Sequence, residues 1–151
     1  MSAPDLPALP SSIMSATQLL LARRQLDSLI AAARRQQTDM ASLVTKQTEP
    51  LSDLLAGNAA LNGCLTLKDQ LATITHSAPV VRLTLSALPS QAFRARLTRM
   101  FRELHPHCLV EILTDQSIIG GAVIRTPRHV YDVSLRQRLA ETPPKGILTN
   151  A

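Results

Sequence analysis

The first long pattern in the chain is an apolar seam with helical spacing. From Ile13 to Glu49 there is no glycine or proline, and apolar residues recur at alternating intervals of three and four. The positions of this seam are Leu19, Ala22, Leu26, Leu29, Ala33, Met40 and Leu43. Such spacing places them on one face of an α-helix. Gln36 and Gln47 interrupt the seam, which favours pairing with another long helix over burial beneath a large core.

Two shorter helices are predicted next. Pro50 cannot donate to the helical hydrogen-bond ladder, so it ends the long helix. A short helix carrying Leu51, Leu54 and Leu55 then stops at Gly57-Asn58, because these residues tolerate the left-handed conformation of a helix end. Asn62-Gly63 predicts another turn. Thr66 with Asp69 resembles a capping box that opens a third helix, whose apolar residues are Leu67, Leu71 and Ile74.

After Pro79 the apolar period changes to two. Val81, Leu83 and Leu85 alternate with polar residues, which predicts a half-buried β-strand. Ser90 can then cap a helix that carries arginines on one face. The opposite, apolar face consists of Phe93, Leu97, Met100, Phe101 and Leu104. We expect this helix to cover one face of a small sheet.

The remaining elements complete a compact α+β unit. Pro106 stops the helix, and the run from Cys108 to Thr114 predicts a second strand. A third strand begins at Gly120-Gly121 and ends before a hairpin tip at residues 127–129. Its glycine pair predicts a bulge or the close approach of another backbone. A fourth strand at Val130-Tyr131 precedes a last helix, residues 135–140, capped by Asp132 or Ser134.

This order of elements predicts four segments. They are a flexible arm (1–12), a helical region (13–78), an α+β domain with a mixed three- to four-stranded sheet (79–141) and a flexible tail (142–151). The predicted fold class is therefore α+β. Cys64 and Cys108 are too few for a disulfide framework, and no apolar run is long enough to span a membrane. We expect a soluble cytoplasmic protein, with peripheral membrane association left open.

Charge narrows the choice of partners. The formal net charge is +5, which predicts acidic partners. Nucleic-acid binding would be favoured by aromatic residues among the charged ones. The sequence has only three Phe, Tyr or Trp residues, namely Phe93, Phe101 and Tyr131. The alternatives are a solvated helix face or an acidic protein partner.

Few residues suggest a metal-binding, cofactor-binding or catalytic site. His105, His107 and Cys108, with His76 or His129, invite a metal interpretation, but their spacing does not match the usual ligand sets. The alternative is that they decorate a helix end. The glycine pair lacks a dinucleotide or phosphate-loop pattern, and no oxyanion-stabilising loop accompanies Cys108. We predict no catalytic residue, cofactor or metal.

The C-terminal motifs, taken together, resemble the signature of the delta subunit of F-type ATP synthases. The matching runs are DQSIIGGAVIR, residues 115–125, and VYDVSLRQRL, residues 130–139. The resemblance implies a noncatalytic peripheral-stalk subunit that couples proton flow to ATP synthesis. Its C-terminal domain would join the b-subunit stalk, and its N-terminal bundle would grip the alpha and beta catalytic head. It would lie at the cytoplasmic side of the cell membrane, attached only through the complex.

The resemblance implies structural or partner-binding roles for six residues. These residues are Gly120, Gly121, Arg125, Asp132, Ser134 and Arg138. The resemblance also leaves alternative functions open. Residues 13–78 are too few for the family's six-helix bundle, which puts contact with the catalytic head in doubt. Stator proteins of type III secretion and flagellar export ATPases, and the E subunit of V-type ATPases, share a long helix and a similar ending. A basic nucleic-acid-binding adaptor is the third interpretation, and it predicts strongly salt-dependent affinity.

Overall fold

The computed structural model describes residues 6–36, 51–55 and 60–141. Within these residues the chain forms five α-helices and a four-stranded mixed sheet, with helices mostly N-terminal and strands C-terminal. This is the predicted α+β fold. The helices are α1 (Ala16–Gln36), α2 (Leu51–Leu55), α3 (Leu61–Ser77), α4 (Gln91–Leu104) and α5 (Leu135–Glu141). The strands are β1 (Val80–Leu85), β2 (Leu109–Thr114), β3 (Ala122–Arg125) and β4 (Val130–Asp132).

The helical core forms around the seam of α1. The predicted seam residues up to Ala33 are all buried, namely Leu19, Ala22, Leu26, Leu29 and Ala33. They belong to one apolar cluster with the three leucines of α2 and with Leu67, Leu71 and Ile74 of α3. The predicted seam is thus confirmed over this stretch. Its continuation through Met40 and Leu43 lies outside the described residues, as does the predicted stop at Gly57-Asn58.

Helix α3 begins earlier than predicted. It starts at Leu61, so Asn62-Gly63 lies inside the helix instead of forming a turn. Thr66 is not a cap, because its hydroxyl donates to the carbonyl of Asn62 at 3.0 Å within the helix. Leu61 and Leu65 pack against the apolar cluster. Tertiary packing of this first turn overrides the local turn signal.

The sheet has the order β2-β1-β3-β4. Strands β1 and β2 are parallel, and α4 forms the crossover between them, whereas β3 pairs antiparallel with both β1 and β4. Val81 and Leu83 are buried and Arg82 is exposed, which confirms the alternation predicted for β1 over residues 81–83, whereas Thr84 and Leu85 are both half-buried. Strand β3 begins at Ala122, after the glycine pair.

The N-terminal segment before α1 packs onto both halves of the molecule. Leu9 is buried in the apolar cluster, although 1–12 was predicted to be a flexible arm. Ile13, the first residue of the predicted helical region, is buried in the same cluster. The carbonyl of Met14 accepts a hydrogen bond from the Val110 amide, at the outer edge of β2. Leu109 joins the same cluster, so the helical region and the sheet share a core. Residues 1–5 lie outside the described part of the chain.

Candidate partner-docking surface

Helix α4 presents its apolar face to solvent. Phe93, Met100 and Leu104 are 47%, 50% and 74% exposed, whereas Thr98 is only 3% exposed. The helix itself and its cap are as predicted, since Ser90 accepts from the amide of Phe93 at 3.3 Å. The prediction that the apolar face covers the sheet is wrong for these three residues. We call the exposed set Phe93, Met100 and Leu104 the α4 stripe.

Arg102 explains this orientation of α4. Its guanidinium donates to the carbonyls of Leu9 and Pro10 at 3.0 and 3.1 Å, and also to the carbonyl of Ile13. Its Nε donates to the carbonyl of Cys108 at 3.3 Å. Burial lowers the pKa of Arg102. These bonds hold the side of α4 that carries Thr98 and Arg102 toward the protein, so the α4 stripe faces outward.

A groove of about 900 Å³ lies beside the C-terminal end of α4. It runs past the first residues of β1 to the β3–β4 hairpin, and Phe101, Leu104 and Tyr131 line it. Val130 and Tyr131 of β4 are 63% and 53% exposed, although they point to opposite faces of the sheet. Leu104 both lines the groove and belongs to the α4 stripe, so the groove and the stripe are continuous. Together they form one open apolar surface.

Basic residues are among those that line this groove. Three arginines, Arg82, Arg125 and Arg128, line it together with His105 and His129. Among the described residues that line the groove there is no aspartate or glutamate. Arg82 is paired with Arg125 and Arg125 with Val130 in the strand register, so the side chains of both arginines leave the sheet on the face opposite Tyr131.

The glycine pair forms a separate, tightly packed corner. Gly121 has a φ of +80°, and a Cβ placed there would lie 2.4 Å from the carbonyl oxygen of Val133. Hydrogen bonds at 2.9 Å join the amides of Val133 and Leu135 to the carbonyls of Ala122 and Gly120. The predicted close approach of another backbone is confirmed. Only glycine fits at Gly121 without displacing the β4–α5 connection.

Asp132 and Ser134 fix that connection. Ser134 is fully buried, and its amide donates to Asp132 Oδ1 at 2.9 Å. The Ser134 hydroxyl accepts from the amide of Gln137 at 3.2 Å, so Ser134 caps α5 as predicted. Hydrogen bonds from the side chain and the amide of Ser134 lower the pKa of Asp132.

Asp115 repeats this arrangement at the neighbouring turn. Its Oδ1 accepts from the amide of Ser117 at 2.9 Å, and hydrogen bonds from the side chain and the amide of Ser117 lower its pKa. Arg136 of α5 donates to the Ser117 hydroxyl at 3.2 Å, which links the turn to the corner.

The structure divides the residues selected from the sequence into two groups. Gly120, Gly121, Asp132 and Ser134 meet in the corner, where their roles are local and conformational. Arg125 lies at the other end of β3 and lines the groove. Arg138 is exposed on α5, one turn after Ser134.

The histidine and cysteine candidates do not form a cluster. Within residues 6–36, 51–55 and 60–141, no group of three or more His, Cys, Asp or Glu side chains is placed to hold a metal ion. His105 is exposed at the end of α4, whereas Cys108 is buried. Burial raises the pKa of the Cys108 thiol, which disfavours the reactive thiolate.

Sequence reasoning missed Arg102 as a structural residue. The arginines of α4 were placed together on the face opposite the apolar residues, as a solvated face or a site for an acidic protein partner, and nothing local distinguishes Arg102 from its neighbours. Its partners Leu9, Pro10 and Ile13 lie about 90 residues earlier in the chain.

Comparison with known proteins leaves the family open. No protein-family model matches the chain, and no curated protein matches it. None of the described helices is long and apolar enough to cross a membrane.

Proposed function

We propose that this protein is a noncatalytic peripheral-stalk subunit of a proton-translocating F-type ATP synthase. It would link the b-subunit stalk to the catalytic head, at the cytoplasmic side of the cell membrane, so that proton flow is coupled to ATP synthesis. The resemblance of residues 115–139 to the delta subunit supports this assignment. No step of bond chemistry is required of the chain.

The observation that carries a docking role is the exposed α4 stripe beside the apolar groove. Burying one large apolar side chain contributes about 1.5–3 kcal/mol, so Phe93, Met100 and Leu104 together could support a stable contact. A helix laid along α4 would bury this stripe. The stalk helix of the b subunit is therefore the proposed occupant.

The helical region contributes differently to the proposal. Over the described part of α1, the seam is filled by α2 and α3 of the same chain. This stretch is consequently not free to pair with a partner's long helix, which shifts the proposed docking site to α4. Contact with the alpha and beta head is proposed for the outer surface of the helical region, where Leu20 and Leu21 are exposed.

Co-purification from the native membrane tests the assignment. The tagged full-length chain is expected to recover alpha, beta and b subunits, and Leu104→Glu should lose the b subunit because it places a charge in the stripe. Leu20→Glu is the matched control, since Leu20 is also exposed but lies on α1. It should retain the b subunit.

Other recoveries would contradict the proposal in distinct ways. Recovery of a secretion or flagellar export ATPase, or of V-type subunits, would move the protein to the related stator families. Recovery of nucleic acid alone would favour the basic adaptor. Loss of the b subunit with Leu20→Glu but not with Leu104→Glu would place docking on α1 instead of α4.

A further inference from the structure

The outer side of β4 is a free edge of the sheet. Strand β4 is last in the order β2-β1-β3-β4, and its inner side pairs with β3. The amide of Val133 donates to the carbonyl of Ala122 across this pair. Because antiparallel hydrogen bonds alternate along a strand, Tyr131 also faces β3, and the amides and carbonyls of Val130 and Asp132 point away from the sheet. We call these outward groups the β4 edge.

The two edges of the sheet are protected differently. At the β2 edge, the amide of Val110 donates to the carbonyl of Met14 at 2.8 Å, so the N-terminal segment covers part of it. Among the described residues, nothing hydrogen bonds to the β4 edge. All three residues of β4 are exposed, and none of them is a lysine or a proline, the residues that commonly block edge pairing. The β4 edge is therefore open to another strand.

A second copy of β4 matches this edge. A two-fold axis through Tyr131 would place Val130 opposite Asp132 of the second copy, and each of the two such pairs would exchange two backbone hydrogen bonds. Tyr131 would lie opposite its own counterpart in a non-hydrogen-bonded pair, with Cα atoms about 4.5 Å apart. This register is the antiparallel one that matches all three residues of β4 in both copies.

The same register brings opposite charges together. Val130 is paired with Arg125, so Arg125, Val130 and Asp132 share one face of the sheet. Asp132 of the second copy would lie two strand spacings from Arg125, about 10 Å between Cα atoms, which an arginine side chain can span. Among the described residues Arg125 has no ion-pair partner. Oδ1 of Asp132 accepts from the Ser134 amide, which leaves Oδ2 for this contact.

We propose that β4 pairs antiparallel with β4 of a second copy, which joins two four-stranded sheets into one continuous sheet. The partner is a second copy because β4 itself supplies both the carboxylate that Arg125 lacks and an aromatic ring on the face of Tyr131. Three paired residues make a small contact, so the dimer is weak and its population depends on concentration. This inference does not depend on the stalk assignment.

Sedimentation equilibrium of the full-length chain measures the pairing. From about 10 μM to about 1 mM, the average mass should rise from one chain toward two. Val130→Pro removes an outward amide and leaves the hydrogen bonds to β3, a position where proline is tolerated. It should weaken dimerisation at least about tenfold, because each dimer loses two hydrogen bonds.

Thr114→Pro is the matched control at the opposite edge. The amide of Asp115 donates to Leu85 of β1, so the amide of Thr114 points outward from β2. Thr114→Pro should dimerise like wild type. Circular dichroism compares the folds of the two proline variants.

Disulfide trapping tests the register with an intact strand. The expected Cα separation at Tyr131 lies within the range that a disulfide bridges. With oxidised glutathione, Tyr131→Cys should form a linked dimer at least about tenfold faster than Leu139→Cys, an equally exposed site on α5. The two native cysteines are buried, so wild type should not form linked dimers at a comparable rate.

Charge reversal separates the specific contact from general repulsion. The formal net charge of +5 opposes association, and a change from Arg to Glu reduces it at any position. Arg125→Glu should nevertheless weaken the dimer by about fivefold, because it places an acid beside Asp132 of the second copy. Arg24→Glu on α1 carries the same charge change and should leave the dimer unchanged or strengthen it.

Several results would overturn the proposal. A mass of one chain at every concentration would do so, including the case in which the monomer binds an unrelated extended peptide at β4. Equal dimerisation of Val130→Pro and Thr114→Pro, or equal trapping at Tyr131→Cys and Leu139→Cys, would contradict pairing through β4. Strengthening by Arg125→Glu would contradict the charge contact. Recovery of stalk subunits with Val130→Pro would leave the stalk assignment standing in each case.

Discussion

In the helical region, the apolar seam of α1 is filled by leucines of α2 and α3, whereas in the C-terminal region the apolar stripe of α4 faces solvent. Both seams have helical spacing and similar residue types. They differ in whether apolar side chains of the same chain pack against them. The α1 seam meets apolar side chains of the same chain, and α4 is held by the polar contacts of Arg102 on its other side. Amphipathic spacing alone therefore does not identify which face a helix buries.

The largest expected effect is the loss of stability on Leu26→Ala in the α1 seam, compared with the same substitution at Leu104 in the α4 stripe. Leu26→Ala removes a fully buried side chain of α1 and should lower the free energy of unfolding by about 2–5 kcal/mol. Leu104→Ala removes a side chain that is 74% exposed and should change it by less than about 0.5 kcal/mol. Urea unfolding followed by circular dichroism measures both. A comparable loss from Leu104→Ala would mean that the α4 stripe is covered in solution.

The glycine corner offers the second contrast. Gly121→Ala should cost about 2–4 kcal/mol, because the new methyl group meets the backbone of Val133 and the φ is positive. Gly120→Ala should cost about 1 kcal/mol, since its Cβ meets only the movable end of the Leu135 side chain. The same unfolding measurement compares them. Equal costs would show that the β4–α5 connection moves to accommodate either methyl group.

These elements show why part of the structure could be predicted from sequence. The helical spacing of the α1 seam, the Ser90 cap and the alternation at residues 81–83 of β1 depend on neighbours within a few residues, and the structure confirms each over the described residues. The approach to Gly121 was also predictable in kind, because adjacent glycines in a strand indicate a crowded backbone. The backbone that approaches Gly121 is that of Val133, because the hairpin between β3 and β4 brings the chain back beside the start of β3.

The failures depend on contacts that are distant in sequence. The orientation of α4 involves Arg102, whose hydrogen-bond partners lie in the N-terminal segment, and Leu9 of that segment is buried in the apolar cluster. The early start of α3 follows from packing of Leu61 and Leu65 against the apolar cluster. Proline-rich composition at the N-terminus and the turn signal at Asn62-Gly63 are local features, and they carry no information about these contacts.

Arg102 connects the two regions, and its substitution should have the third largest effect. Arg102→Lys keeps the charge but cannot reach the carbonyls of Leu9, Pro10 and Ile13 together, so it should cost about 1–3 kcal/mol. The Val110 amide should also exchange faster with solvent, because the segment that holds its acceptor Met14 is released.

Arg99→Lys is the control for this effect, since Arg99 is exposed on the same helix. It should leave both the stability and the Val110 exchange rate unchanged. Wild-type exchange at Val110 in Arg102→Lys would show that the N-terminal segment stays in place without the arginine.

The smallest expected effect is the acid sensitivity of the corner. The pKa values of Asp132 and Asp115 lie below the ordinary value of 3.8, so the fold favours their charged forms. Their contribution to stability is therefore complete above a pH of about 3.8 and is lost as the pH falls through the lower folded-state pKa. Asp132→Asn should flatten the decrease of the urea midpoint between pH values of about 5 and 2.5. Asp69→Asn on α3 removes a carboxylate outside the corner and should keep the wild-type slope. An unchanged slope in Asp132→Asn would instead assign the acid response to carboxylates outside the corner.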